Sequence, residues 1–213
     1  MIETIQNYYL ATPKTGKGAG VMVLHAWWGL NDFIKDFCQR LAGVGFIALA
    51  PDLYHGKIAK TIEEAKQLRS KMKQEQVSKE ILSAAEQLYE LSATGRQGVI
   101  GFSLGGYWAL WLSLARPEYI KTVTVFYGTR SADYSLSQAA YLGHFAEKDD
   151  WVAASGVKKL EKNLRDANRP LTFYTYPGTG HWFFEVDRRE AYNQIAAELA
   201  WKRTLEFLQT QLN

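Results

Sequence analysis

Three residue types that together perform acyl transfer stand in the chain in a meaningful order. Ser103 lies in Gly101-Phe102-Ser103-Leu104-Gly105-Gly106. His181 lies in Tyr176-Pro177-Gly178-Thr179-Gly180-His181-Trp182. Between them, in Lys148-Asp149-Asp150-Trp151-Val152, are two adjacent aspartates. A serine hydroxyl becomes nucleophilic when it is exposed, held at one angle and set beside a base. An imidazole is such a base, and a carboxylate fixes its tautomer and steadies the imidazolium. Glycines at 101 and 105 relieve crowding where a strand turns abruptly into a helix. The amides opening that helix, expected over Tyr107–Ala115, can meet a developing oxyanion. Each piece has a plainer reading: an ordinary strand-to-helix turn, a structural loop histidine, a helix-capping aspartate. The order serine, aspartate, histidine, each at a strand's end, gives the set its weight.

Those ends imply the strands. A continuous apolar run at Gly20–His25 suits a buried parallel strand, Phe46–Ala50 and Gln97–Phe102 read as further buried strands, and Thr122–Tyr127 as a fourth strand. Ala139–Phe145 and Leu171–Tyr176 follow as further strands, and Thr4–Leu10 suits an antiparallel edge strand. Helices are expected from Asn31 or Asp32, either of which can cap, to Leu41. Others are expected at Ile62–Arg69, Val77–Leu91, Val157–Leu164 and about Arg188–Leu208. Alternation of strand and helix predicts an α/β fold. Its central sheet is mostly parallel, flanked by helices on both faces, and forms one domain over residues 1–213. In such sheets the working groups sit just beyond the C-terminal ends of the strands.

The chain has 213 residues, 47% hydrophobic and 22% charged, with a net charge of +3 and no basic block. That excludes the electrostatic footprint of a nucleic-acid binder. One cysteine, Cys38, permits no internal disulfide and fits a reducing compartment. Met1–Gly20 has no apolar core of a secretory signal, and the apolar stretch Val21–Leu30 is too short to span a bilayer. A cytoplasmic protein without membrane or nucleic-acid partners is expected, as a monomer or small homo-oligomer. No residue cluster has metal-ligand spacing, so no metal and no cofactor are expected.

The G-x-S-x-G pattern resembles the nucleophile elbow of α/β-hydrolases. The resemblance narrows to the dienelactone hydrolase family. It is carried by Trp28-Gly29-Leu30-Asn31-Asp32-Phe33, Ala50-Pro51-Asp52-Leu53-Tyr54, Phe126-Tyr127-Gly128 and the tail Arg203-Thr204-Leu205-Glu206-Phe207-Leu208, together with the three segments above. It covers nearly the whole chain. Family spacing places a valine three residues after the acid, which selects Asp149, ahead of Val152, over Asp150. The resemblance also implies a mechanism on a small ester or lactone. His181 takes the Ser103 proton, Asp149 holds His181, and the backbone amides of Leu104 and Trp27 receive the oxyanion. Two positions depart from the family pattern. Founding members use cysteine with a nearby glutamate, where this chain has Ser103 and, at the glutamate position, Ala26. The dienelactone-cleaving members have an arginine where this chain has Glu185, which is expected to repel a substrate carboxylate and to disfavour dienelactone.

Trp27, Trp28, Trp151 and Trp182 fall in loops near the site, either walling an apolar acyl or aryl pocket or packing at the sheet's edge. Tyr127 either donates to substrate or caps a strand. His25 reads as a loop organiser and Cys38 as buried and inert, while His55 and His144 have no evident partner. The same triad also serves a thioesterase or acyltransferase, and a fold with a triad can persist as a ligand-binding homologue.

Overall fold

The computed structural model describes residues 7–212. The expected edge strand therefore begins, as far as it can be described, at Tyr8; Thr4 to Gln6 lie outside the described residues. Seven strands form one sheet in the order β1 (Tyr8–Ala11), β3 (Ile47–Pro51), β2 (Gly20–Leu24), β4 (Gln97–Phe102), β5 (Ile120–Phe126), β6 (Ala140–Ala146) and β7 (Leu171–Tyr176). Only β1 runs antiparallel to its neighbour; the other pairings are parallel.

β2 reads as an unbroken apolar run because both its faces are covered, and the polar Gln97, Thr122, Thr124 and His144 of β4 to β6 are buried with it. In β2, Val21 and Val23 enter one core while Met22 and Leu24 enter the other. The first core is closed by α1 (Asp32–Gly43) and α6 (Gln194–Leu212). The second is closed by α3 (Gln74–Leu91), α4 (Leu104–Ala115) and α5 (Ala154–Asp166). A further helix, α2 (Ile62–Ser70), opens with a capping box between Thr61 and Glu64. Asn31 is the cap of α1, its side chain accepting from the Ile34 amide at 3.2 Å.

Four helix starts differ from expectation: α3 and α5 each begin three residues early, at Gln74 and Ala154, and the other two have visible causes. α4 begins at Leu104, immediately after the serine, because the turn is made by Ser103 itself. The last helix begins at Gln194 and not near Arg188. Asn193 opens it: its side chain accepts from the Ala196 amide and its carbonyl from the Ala197 amide. Residues 182–193 are instead a chain of turns beneath the site.

The strand order reverses between β2 and β4, with Leu24 paired to Gly101. Chain leaving β2 crosses toward β3 and chain leaving β4 toward β5, so the two diverge there and open a crevice at the strands' C-terminal ends. Ala26-Trp27 and Ser103 both emerge into it. Among the described residues no helix is long and apolar enough to cross a membrane.

Candidate active site

Ser103 has φ 49° and ψ −109°, a conformation that a side-chain-bearing residue adopts only when its surroundings impose it. The imposition is visible. The Ser103 amide donates to the Phe126 carbonyl at 2.9 Å, which ties the turn to β5. A Cβ at Gly101 would overlap the Gly105 carbonyl, and one at Gly105 the Leu24 carbonyl at the end of β2. The elbow thus packs backbone on backbone, and only glycine fits at either position. Tyr127 (φ 39°) and Trp182 (φ 66°), which flank the site, are also held at positive φ.

The serine Oγ lies 2.9 Å from Nε2 of His181, and His181 Nδ1 lies 2.8 Å from Oδ2 of Asp149. Both side chains of the His–Asp pair are nearly inaccessible to solvent. Asp149 is aimed by its own loop: its Oδ1 accepts from the amides of Trp151 (2.9 Å) and Val152 (2.8 Å). The aspartate and histidine loops are also laced together. The Lys148 amide donates to the Thr179 carbonyl, and the Gly178 amide to the Glu147 carboxylate. Asp150 is exposed and turns away toward a second cavity. Of the two aspartates left open by the residues alone, the structure brings Asp149 to the histidine. The arrangement can carry a proton from Oγ to Nε2 and hold the resulting imidazolium against a carboxylate.

The backbone amides of Leu104 and Trp27 engage no acceptor among the described residues. His25 stabilises the loop that presents Trp27. Its ring is fully buried, Nδ1 donates to the Ala26 carbonyl at 2.6 Å, and Nε2 accepts the Leu53 amide at 3.2 Å. Burial lowers its pKa, so the ring stays neutral in that tautomer.

Ser103 and His181 open into a cleft of about 410 Å³ walled by Trp27, Tyr107, Trp151 and Trp182. Trp27 and Trp151 meet edge to face at 4.8 Å, and Trp151 and Trp182 lie 5.4 Å apart. The indole N–H groups of Trp27 and Trp182 are buried without a partner among the described residues. Arg69 and Met72, at the end of α2, form the opposite rim together with Gln74. Nothing in the sequence marked that rim, because the polar face of α2 reads like any solvated helix.

Two of the expected substrate contacts lie elsewhere. Trp28 is buried behind the cleft, lines the second cavity, and carries the Arg188 guanidinium 4.1 Å above its ring. Tyr127 is fully buried beneath the histidine, and its hydroxyl donates to Glu185 at 2.8 Å, so that hydroxyl is unavailable to a substrate. Glu185 is itself 1% exposed, and burial pushes its pKa up to about 8. It is neutral near pH 7 and does not line the cleft, so it repels no substrate carboxylate there. The two histidines without expected partners have them. His144 bridges Tyr176 and Thr204 in the core, and His55 lies 3.3 Å from Glu80. Cys38 is buried, with its thiol pushed up to about 12.

The model of the dienelactone hydrolase family matches residues 7–212. The chain belongs to the dienelactone hydrolase family. "Protein usf" of Aquifex pyrophilus is 32% identical, covering 96% of this chain and 93% of that protein. A protein from Bradyrhizobium called "Probable 2-oxo-3-(5-oxofuran-2-ylidene)propanoate lactonase" is 30% identical over 96% of this chain and 89% of its own. Among solved structures, a "Putative Dienelactone Hydrolase" from Klebsiella pneumoniae superposes with a TM-score of 0.82 at 26% identity, covering 93% and 90% of the two chains. Within the dienelactone hydrolase fold, Ala26 is a buried small residue beside His25, and no carboxylate reaches the serine from that loop.

Proposed function

We propose that this dienelactone hydrolase family member is a single-domain serine hydrolase that cleaves a small carboxylic ester or lactone through an acyl-enzyme on Ser103. One observation carries the reading: the unbroken chain from Ser103 Oγ through His181 to Asp149, at 2.9 and 2.8 Å, on the floor of the tryptophan-walled cleft. Oγ attacks the carbonyl carbon as its proton passes to Nε2. The tetrahedral oxyanion is received by the amides of Leu104 and Trp27. His181 then returns the proton to the leaving oxygen, the C–O bond breaks, and an ester links Ser103 to the acyl group. Water, deprotonated by the same imidazole, releases the acid and restores Ser103. For a lactone the leaving alcohol stays attached to the acyl chain, and one product departs.

The cleft volume falls within the range of small-molecule sites. Its walls suit a flat or branched apolar group. As a family member the chain is a hydrolase acting on ester bonds.

The test combines turnover of p-nitrophenyl acetate and butyrate and a five-membered lactone with labelling by a fluorophosphonate. Turnover and a single adduct at Ser103, both abolished in Ser103→Ala, are expected. Loss of kcat on the order of 10⁶ is typical when such a nucleophile is removed. Turnover that survives Ser103→Ala, or wild-type protein with neither turnover nor adduct, refutes the proposal.

A further inference from the structure

The catalytic role proposed for His181 leaves one buried acid beneath it unused. Glu185 follows Phe183 and Phe184, which are 0% and 3% exposed. Those rings anchor the loop in the core, where Phe184 packs 4.5 Å from Phe126 and Phe183 4.9 Å from Tyr176. Further on, the Asp187 carboxylate accepts from Nδ2 of the Asn31 side chain at 2.9 Å. Between these two anchors Glu185 is drawn inside. No cation pairs with it among the described residues: Arg188, its charged neighbour, binds Asp187 at 2.9 Å and stacks on Trp28. Its donor is Tyr127, at 2.8 Å. The Tyr127 ring lies 4.7 Å from the imidazole of His181, tilted at 57°.

We propose that Glu185 is a positioning residue: its buried carboxyl anchors Tyr127, whose ring seats the His181 imidazole between Ser103 and Asp149. This rests on the serine-hydrolase reading above. His181 sits in a glycine-rich loop. In-plane contacts come from Ser103 and Asp149, and Trp182 touches the ring at 4.9 Å. Tyr127 supplies a further ring contact, and the orientation of Tyr127 is set by its bond to Glu185. Swapping acid for amide preserves an acceptor for the tyrosine hydroxyl; swapping it for leucine does not.

The charge state has a consequence of its own. The groups facing Glu185 are Tyr127, Asp187 and Arg188, with Asp149 acting across the ring on Tyr127. Burial, with Asp187 adding to it, holds the carboxyl protonated up to about pH 8. Above that pH it becomes an anion on the Tyr127 hydroxyl, a charge that glutamine does not reproduce.

The experiment compares wild type with Glu185→Gln, Glu185→Leu and Tyr127→Phe. It measures kcat and KM on p-nitrophenyl acetate from pH 6 to 9.5, and the low-field Nδ1 proton resonance of His181 by NMR. Glu185→Leu and Tyr127→Phe are expected to lower kcat by up to about 100-fold, the cost of a misplacement near 1 Å, with KM within about twofold. Both should shift or broaden the His181 resonance. Glu185→Gln should match wild type at pH 6 to 7 in rate and resonance, and depart from it only above about pH 8. The proposal is overturned if Glu185→Leu keeps the wild-type kcat and resonance whatever its melting temperature, or if Glu185→Gln loses as much as Glu185→Leu. Should Glu185→Leu not fold, Tyr127→Phe decides by the same two readouts. Wild type that neither turns over nor labels at Ser103 would count against the hydrolase reading alone, while the resonance still tests the positioning.

Discussion

Replacing Asp149 by asparagine isolates what the acid does, because the loop gives the new amide only one comfortable orientation. Oδ1 of Asp149 accepts two backbone amides at 2.9 and 2.8 Å, while Oδ2 accepts the His181 Nδ1 proton at 2.8 Å. In Asp149→Asn the carbonyl oxygen must keep the two amides, since flipping would set an NH₂ against two N–H donors. The NH₂ then faces Nδ1 and demands a lone pair there. His181 answers by carrying its proton on Nε2, which points a donor at Ser103 Oγ, 2.9 Å away. In that tautomer it cannot act as a base. In a serine protease with this geometry the same tautomer error costs about 10⁴ in kcat, or about 5.4 kcal/mol at 1.36 per decade. Because both Oδ1 bonds persist, the melting temperature should move by only a few degrees. Asp150, exposed and pointing away, should tolerate asparagine within about 0.5 kcal/mol of stability and with unchanged kcat. Steady-state kinetics on p-nitrophenyl butyrate, with thermal melts of both variants, make the comparison. Asp149→Asn retaining more than about a tenth of kcat, or Asp150→Asn being the variant that fails, would refute the reasoning.

Gly105→Ala should unfold the elbow, since its Cβ would overlap the Leu24 carbonyl and neither backbone can yield. A loss of about 3 kcal/mol or more, read by urea denaturation, is expected; near-native stability would show that the β2–β4 approach is looser than described. Trp151, 45% exposed and set edge-on to Trp27, should matter to substrate binding more than to chemistry. Trp151→Ala is expected to raise KM for phenyl esters about tenfold, about 1.4 kcal/mol, with kcat held; equal losses for phenyl and ethyl esters would remove it from the pocket wall. Burial lowers the pKa of His144 to about 3, against about 6.5 unfolded. The folded state therefore binds fewer protons between those values, so stability is fully present above about pH 6.5 and drains away as pH falls toward 3. The wild-type urea midpoint should drop between pH 7 and pH 5, and His144→Gln should flatten that drop; an unchanged slope would show that His144 does not drive it.

Most of the sheet was legible because its inner strands are buried on both faces, and such strands must be apolar at every position. Gly20–Leu24 carries that pattern without interruption, and β4 carries it from Gly98 to Phe102. A helix cap at Asn31 or Asp32 followed from local chemistry, and the Ile34 amide on the Asn31 side chain decides between them. The start of the last helix did not. Residues 188–193 have enough helix-compatible side chains to hide a boundary that depends on Asn193 meeting the Ala196 amide. Asp149 and Asp150 are indistinguishable by residue type; only the turn that places the Trp151 and Val152 amides on Asp149 separates them.

Glu185 shows a deeper limit. An acid in a sequence reads as solvated, because an isolated buried carboxylate is costly. From that premise a repelling charge in the cleft was the natural expectation. The premise fails when flanking residues have more to gain from burial than the carboxyl has to lose. Phe183 and Phe184 enter the core immediately before Glu185, and Asn31 holds Asp187 immediately after it. The carboxyl escapes most of the penalty by keeping its proton and taking a hydrogen bond from Tyr127. The residues that fix the outcome, Asn31 and Tyr127, are far from Glu185 in sequence, so no local pattern encodes it. The site's floor is therefore assembled by the same packing that closes the core, and a carboxyl that sequence alone assigns to solvent ends beneath the imidazole.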